Sequence, residues 1–476
     1  MKNLFVLSSF IFLIIFIPDV KGQEIWTLEK CIQTAIEKSI NIQSADVNLR
    51  STEVDYKQAT HARYPDLSAG TNVGWNFGRT IDPTRNEFIS ETFFNNSFSL
   101  NSNVLLYNAG KINNSIKQAD VNNKAALKDL EQSKRDISLS IASLYLNILF
   151  AKENLQNTQN QLDQTKNQLT LLNKQIAVGN RPENDRLDIE AQIAVNEQSV
   201  TEATNTLNIN LLNLKQWLRL DVQNEIDVVA PLSLNIGTDP DVITFDELYE
   251  SAYRNQASLH ASELKVKGAE LAQKIASADL MPVLSAGGYL RTNYSNKGVF
   301  ISGYEPYIAE QEILFNGTSA TIGIPQQKPI LEKSPYFDQF SDNLSYGIGF
   351  SMSIPIYNNL RARSGVQRAK LNIEKAKLNY DQLDQNLKIT IGQAHADAKA
   401  AKSRYLATEK TRTAQVNLYN NGVKKFEAGS TNVFELTRLK TVMDNAVISN
   451  LIAKYDYIFR SKVLDFYLGK PIKLVD

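Results

Sequence analysis

Residues 127–176 read LKDLEQSKRDISLSIASLYLNILFAKENLQNTQNQLDQTKNQLTLLNKQI, inside a run from 111 to 178 that holds neither glycine nor proline until Gly179. Taken at alternating spacings of three and four, the positions from Leu127 and Leu130 through Lys134, Ile137, Ile141, Ile148 and Leu162 to Leu172 and Ile176 are mostly apolar. A seven-residue repeat sustained over such a length winds a helix left-handedly around its partners, because about 3.5 residues per turn must be matched to an unstrained 3.6. At about 1.5 Å per residue the helix is roughly 100 Å long, far beyond a helix of an ordinary globular domain. The rest of the chain must supply partners along that length.

Outward from this helix the chain repeats one plan. Displaced by 217 positions, Leu67-Ser68-Ala69-Gly70 falls on Leu284-Ser285-Ala286-Gly287 and Pro65 on Pro282; displaced by 250, Tyr107-Asn108 falls on Tyr357-Asn358 and Gly179 on Gly429. The 33-residue difference between these displacements is extra chain between Gly287 and Tyr346. We therefore expect a first repeat over 23–242 and a second over 243–476. Each opens with one helix, 28–63 or 245–280, that stops before a proline, since the residue before proline is pushed out of the α region. Thr244 and Glu247 have the spacing of a capping box. Each repeat closes with a long helical hairpin, 111–220 or 361–468, reversed at Gly179-Asn180 or Gly429-Ser430 by a glycine just past the helix end. A return helix and an opening helix together match the long helix, so each repeat can set one continuous helix beside two shorter ones stacked end to end.

Between opening and long helices the period changes to two, over strand regions 66–107 and 283–357. Phe98, Leu100, Val104 and Leu106 oppose Ser97, Ser99, Asn101 and Asn103, and Tyr346, Ile348, Phe350 and Met352 oppose Gly347, Gly349, Ser351 and Ser353. Strands of about ten residues with one apolar and one small, uncharged face suit a tilted membrane strand lining a watery barrel, and aromatic residues concentrate in these regions. A soluble antiparallel sheet with one wet face would alternate in the same way. The connections 78–92 and 295–343 read as external loops, the second long enough to fold over an opening.

At the N-terminus, Lys2, an apolar run over 4–17, Pro18 and Gly22 have the three-part form of a secretory signal, so 1–22 is expected to be removed. No later window is apolar enough for a membrane helix. Cys31 is the only cysteine, which excludes an intrachain disulfide; it reads as a small residue on a helix face. The 51 basic and 51 acidic residues cancel, so bulk charge draws no nucleic acid. His61, His260 and His395 fall in three different helices without ligand spacing, and neither a nucleophile elbow nor a phosphate-binding loop occurs. Enzymatic chemistry, a metal and a cofactor are therefore not expected.

Four strands cannot close a barrel, and lipid leaves no open sheet edge unpaired, so membrane strands here require several chains; three would give twelve strands. Signal, tandem halves, the order helix, proline, two strands, long helix, and the turn Glu427-Ala428-Gly429 leading to Val433-Phe434-Glu435-Leu436 resemble the TolC outer-membrane efflux family over essentially the whole mature chain. The resemblance implies a mainly α fold with a membrane β-barrel part: a homotrimeric twelve-stranded barrel among the lipids of a Gram-negative outer membrane, continued by an α-helical coiled-coil tunnel in the periplasm. It implies a passive exit duct for tripartite efflux or type I secretion, whose partners are a periplasmic adaptor (membrane fusion) protein and an inner-membrane efflux pump or ABC transporter. The alternative is a secreted structural or adaptor-like coiled-coil protein with a soluble β-domain. In the family, acids just after the second turn constrict the pore. The matching residues are Glu435 and Arg438, with Asp185 and Asp188 at the corresponding places of the first half. An ion pair between Arg438 and an acid of a neighbouring helix is expected to interrupt a doubly acidic ring. Asp185 and Glu435 also stand in a first helical turn, where a carboxylate complements the dipole. Gly179, Asn180, Gly429 and Ser430 are expected to shape the turns and to meet the adaptor.

Overall fold

A computed structural model describes residues 24–81, 88–90, 92–229, 236–315 and 317–474; the expected signal segment lies outside the described residues. The first half runs β1 (Glu24–Trp26), α1 (Leu28–Lys38), α2 (Ile40–His61), β2 (Ser68–Asn76), β3 (Thr80–Ile81), β4 (Phe88–Ile89), β5 (Phe93–Tyr107), α3 (Lys111–Ala177), α4 (Asn184–Leu218) and β6 (Ile226–Val228). The second runs α5 (Phe245–Asn255), α6 (Ala257–Ala278), β7 (Val283–Ser295), β8 (Val299–Phe315), β9 (Thr318–Lys333), α7 (Tyr336–Asp342), β10 (Ser345–Ser353), α8 (Arg361–Glu427) and α9 (Val433–Tyr467). Both long helices have 67 residues and both return helices have 35. By compactness the chain forms two units, each assembled from both halves: Met1–Arg50, Lys124–Glu263 and Leu378–Asp476 in one, Ser51–Asn123 and Leu264–Lys377 in the other.

The first unit is helical. The heptad stripe of α3 is buried from Leu130 through Ile137, Ile141, Ile148 and Thr165 to Leu172, whereas Leu127 and Lys134 are exposed, so the seam begins at Leu130. Ile141, Tyr145 and Leu149 pack with Leu28, Cys31, Leu214 and Ile458 from α1, α4 and α9. The equivalent core of the second half joins Leu248, Leu259, Ile391 and Leu464. Leu172, Ile189, Phe426 and Leu436 make a third core from the four ends that meet the glycine turns. β1 and β6 pair in parallel beside α3, whose Tyr145 hydroxyl donates to the carbonyls of Trp26 (3.0 Å) and Val229 (2.8 Å). On the other half, Lys402 of α8 holds Asp239 (2.7 Å) and Asp241 (2.7 Å), and Thr238 donates through N–H and hydroxyl to Asp465 of α9.

Two expectations are corrected. Each opening helix is broken in two, at Ser39 and at Gln256, which again differ by 217 positions. Both residues turn extended (ψ 127° and 102°) while their N–H groups still donate to Ala35 and Ala252. Leu28, Cys31 and Ala35 on one short segment, and Leu248 and Ala252 on the other, are buried in the cores, while α2 buries Ile42 alone. In the first half the break falls where the buried stripe thins to Ile42, whereas α6 goes on to bury Leu259 and Ala261; neither serine nor glutamine signals a break by propensity. The connection 295–343 is also more than a loop. It holds a hairpin of β8 and β9, closed at its base where Ser334 N–H donates to the Gly298 carbonyl (3.0 Å), and then α7. Among the described residues β8 and β9 pair only with each other. Pro306, Pro325 and Pro329 occupy alternate cross-strand pairs, with Gln327, Ile308 and Tyr304 as partners. Proline has no N–H to give a ladder, so these positions suit amides that point away from the partner and blunt both edges against a further strand.

The second unit carries one antiparallel sheet in the order β10-β7-β5-β2. Directly opposed residues share a face, so the registers Ala69–Leu100–Leu290–Tyr346 and Thr71–Phe98–Thr292 place the apolar residues of four strands together. Gly70–Ser99–Arg291–Ser345 and Asn101–Tyr289–Gly347 build the opposite, polar face. The apolar face remains open to the surroundings at Ile348 (87% exposed) and Phe350 (74%). α7 lies on that same face, where Tyr336 packs on Tyr294 and Phe340 on Phe98.

Candidate functional site

The glycine turns are two copies of one device. Gly179 (φ +78°) and Gly429 (φ +74°) occupy the left-handed region, and nothing lies within 4 Å of where a Cβ would stand, so conformation rather than space demands glycine. Asn180 N–H returns to the Gln175 carbonyl and Ser430 N–H to that of Lys425, closing the last carbonyls of α3 and α8 in the Schellman pattern. Arg181 then links the turns: its guanidinium donates to the Thr431 carbonyl (2.7 Å) and lies 4.6 Å from the Phe426 ring centre. Thr431 is the residue that the 250-position repeat places opposite Arg181 itself.

Beyond the turns the acids differ. The Asn432 side chain caps α9 by accepting from Glu435 N–H (2.9 Å), leaving the Glu435 carboxylate free for a bidentate pair with Arg438 (2.8 and 2.7 Å). Those hydrogen bonds hold the Glu435 carboxyl below its ordinary range. Arg438 therefore pairs within its own helix, three residues along, rather than with a neighbouring helix. Asp185 is half-buried and Asp188 exposed, and among the described residues neither carboxylate has an ion-pair or hydrogen-bond partner. Arg186, next to Asp185 in the chain, is already taken by Glu183 and Glu190. After this local neutralisation, uncompensated negative charge stands on the first-half return helix.

Sequence reasoning missed two groups. Lys440, 2% exposed, pairs with Asp444 (2.7 Å) inside the helices near the turns, and burial pushes the Asp444 carboxyl up. A lysine on a heptad stripe is the signal that would have found it. The other is Arg291, exposed on the polar sheet face. The three histidines satisfy nearby carbonyls: His61 that of Lys57, His260 that of Arg254 and His395 that of Pro240. No group of metal-ligating side chains occurs among the described residues. Cys31 is fully buried, and its thiol is pushed up to about 12 by that burial.

The family described as outer membrane efflux protein matches residues 31–218 and 248–470. Among solved structures, the channel CusC superposes with a TM-score of 0.75 at 15% identity, over 93% of this chain and 92% of its own. VceC from Vibrio cholerae superposes at 0.72 with 14% identity, over 94% and 97%. MtrE from Neisseria gonorrhoeae, in its open state, gives 0.70 at 16% identity over 94% and 89%. No curated protein matches in sequence.

Proposed function

Because the chain belongs to the outer membrane efflux protein family, we propose that three copies close one twelve-stranded barrel and that the glycine turns form the regulated end of its tunnel. The protein is an outer-membrane exit duct for efflux, with its helical part in the periplasm. The observation that carries the assembly is the four-stranded sheet whose edges, β2 and β10, are unpaired among the described residues, together with its exposed apolar face. Neither is tolerable for a lone chain: an open edge in lipid leaves donors and acceptors unpaired, and in water the apolar face costs solvation. A periplasmic adaptor and an inner-membrane pump or ABC transporter complete the pathway, with Gly179, Asn180, Gly429 and Ser430 as the contact for the adaptor. Asp185 and Asp188, repeated three times, supply the cation-attracting ring. Glu435 contributes little net charge while Arg438 holds it.

Light scattering on the detergent-extracted protein tests the assembly. Three mature chains give roughly 150 kDa of protein, about three times the molar mass of a chain with a signal-sized segment removed; a single chain stable without detergent would overturn it. For the ring, channel recordings should show that Asp185→Asn with Asp188→Asn lowers cation preference severalfold, while Arg438→Ala raises it by releasing Glu435. Unchanged currents in both variants would leave these residues only their roles at helix ends.

A further inference from the structure

The four strands β2, β5, β7 and β10 contain one charged residue, Arg291. Its register with Ser99 near the middle of the 15-residue β5, and with Ser345 at the start of β10, places it on the polar face. That face is otherwise built of serine, asparagine, glycine and Tyr289 around it, while α7 lies against the opposite face.

The guanidinium is held in place. Tyr289 lies across the neighbouring strand at Gly347, where an added Cβ would come within 2.8 Å of its ring. Arg291 stacks on that ring at 4.6 Å, and its Nε donates to the Ser345 hydroxyl (3.3 Å). Arginine suits such a seat because its planar cation can stack while its remaining N–H groups stay available for a carboxylate or phosphate. Neither contact is with a carboxylate, so the positive charge is not cancelled locally.

We propose that Arg291, repeated by three-fold assembly, forms a ring of three guanidinium groups inside the barrel that concentrates multivalent anions, carboxylates or phosphates, in the exit pathway. The inference rests on the closed trimeric barrel proposed above. Like charges repeated around a low-dielectric wall add their potentials and raise the local concentration of the opposite sign. An arginine on the other face would meet lipid, which a barrel avoids.

The test uses the full-length protein purified in detergent, with its mass measured before insertion into planar bilayers. Wild type, Arg291→Gln and Arg291→Lys are compared by reversal potential in a KCl gradient and by block with inorganic pyrophosphate. In 0.1 M KCl, Arg291→Gln should lower the chloride-to-potassium permeability ratio severalfold and need about tenfold more pyrophosphate for half-block, while Arg291→Lys stays within about twofold of wild type. The differences should fade in 1 M KCl, where the screening length falls to about 3 Å. A glutamine variant with wild-type ratio and block overturns the ring, and a loss of thermal stability alone assigns Arg291 to sheet packing. A wild-type protein that is a single chain without channels fails the assembly reading instead, and the ring falls with it.

Discussion

At the scale of single residues, repeated backbone geometry exposes an asymmetry in strain. At the junction of sheet and long helix, Ala109 and Gly110 take φ +51° and +76°, and the repeat puts Asn359 and Leu360 there at +53° and +61°. Asn108 and Asn358 serve both helices alike, each accepting at its carbonyl from the residue three positions on (3.0 and 3.1 Å). Leucine in the left-handed region crowds its Cβ against the carbonyl, and Leu360 is 54% exposed, so its side chain regains little by burial. Leu360→Gly should therefore stabilise the protein by about 1 kcal/mol, whereas Gly429→Ala should cost about as much because its φ of +74° is required by the turn. Thermal unfolding followed by helical circular dichroism checks both; a melting temperature lowered by Leu360→Gly would refute the strain argument.

Among elements, the segment that joins the two halves depends on ion pairs. Lys402 donates to both Asp239 oxygens (2.7 and 2.8 Å), and that hydrogen bonding holds the Asp239 carboxyl below its ordinary range. A depressed carboxyl contributes stability above its unfolded value and loses it as pH falls through the folded one. The 236–242 segment should thus stay closed at neutral pH and open progressively below about pH 4. Hydrogen exchange at Thr238, whose N–H donates to Asp465, would report the opening. In Lys402→Met the Asp239 contribution to this pH dependence should shrink, since only the Asp241 N–H still donates to that carboxylate; an unchanged profile would mean that another group controls it.

For the whole molecule, assembly and the inserted hairpin are separable. Among the described residues β8 and β9 pair only with each other, their base is closed at Gly298 and Ser334, and prolines blunt their edges. Removing 299–333 should leave the trimeric mass and thermal stability within error of the full-length protein. Monomeric material from that deletion would show that the hairpin takes part in closing the barrel.

Much of this was legible in the residue pattern because it depends on periods and on backbone chemistry. The 67-residue helices, the turns at Gly179 and Gly429 and the two faces of the strands follow from heptads, from glycine's access to positive φ and from strict alternation. These are local rules, and the two-fold repeat states each of them twice. Tertiary structure alone decided the breaks at Ser39 and Gln256, the reach of Arg181 to Thr431 and the seat of Arg291 on Tyr289. Each depends on where packing stops a helix or on which partner a long, flexible cation finds in space, and sequence spacing does not contain that distance.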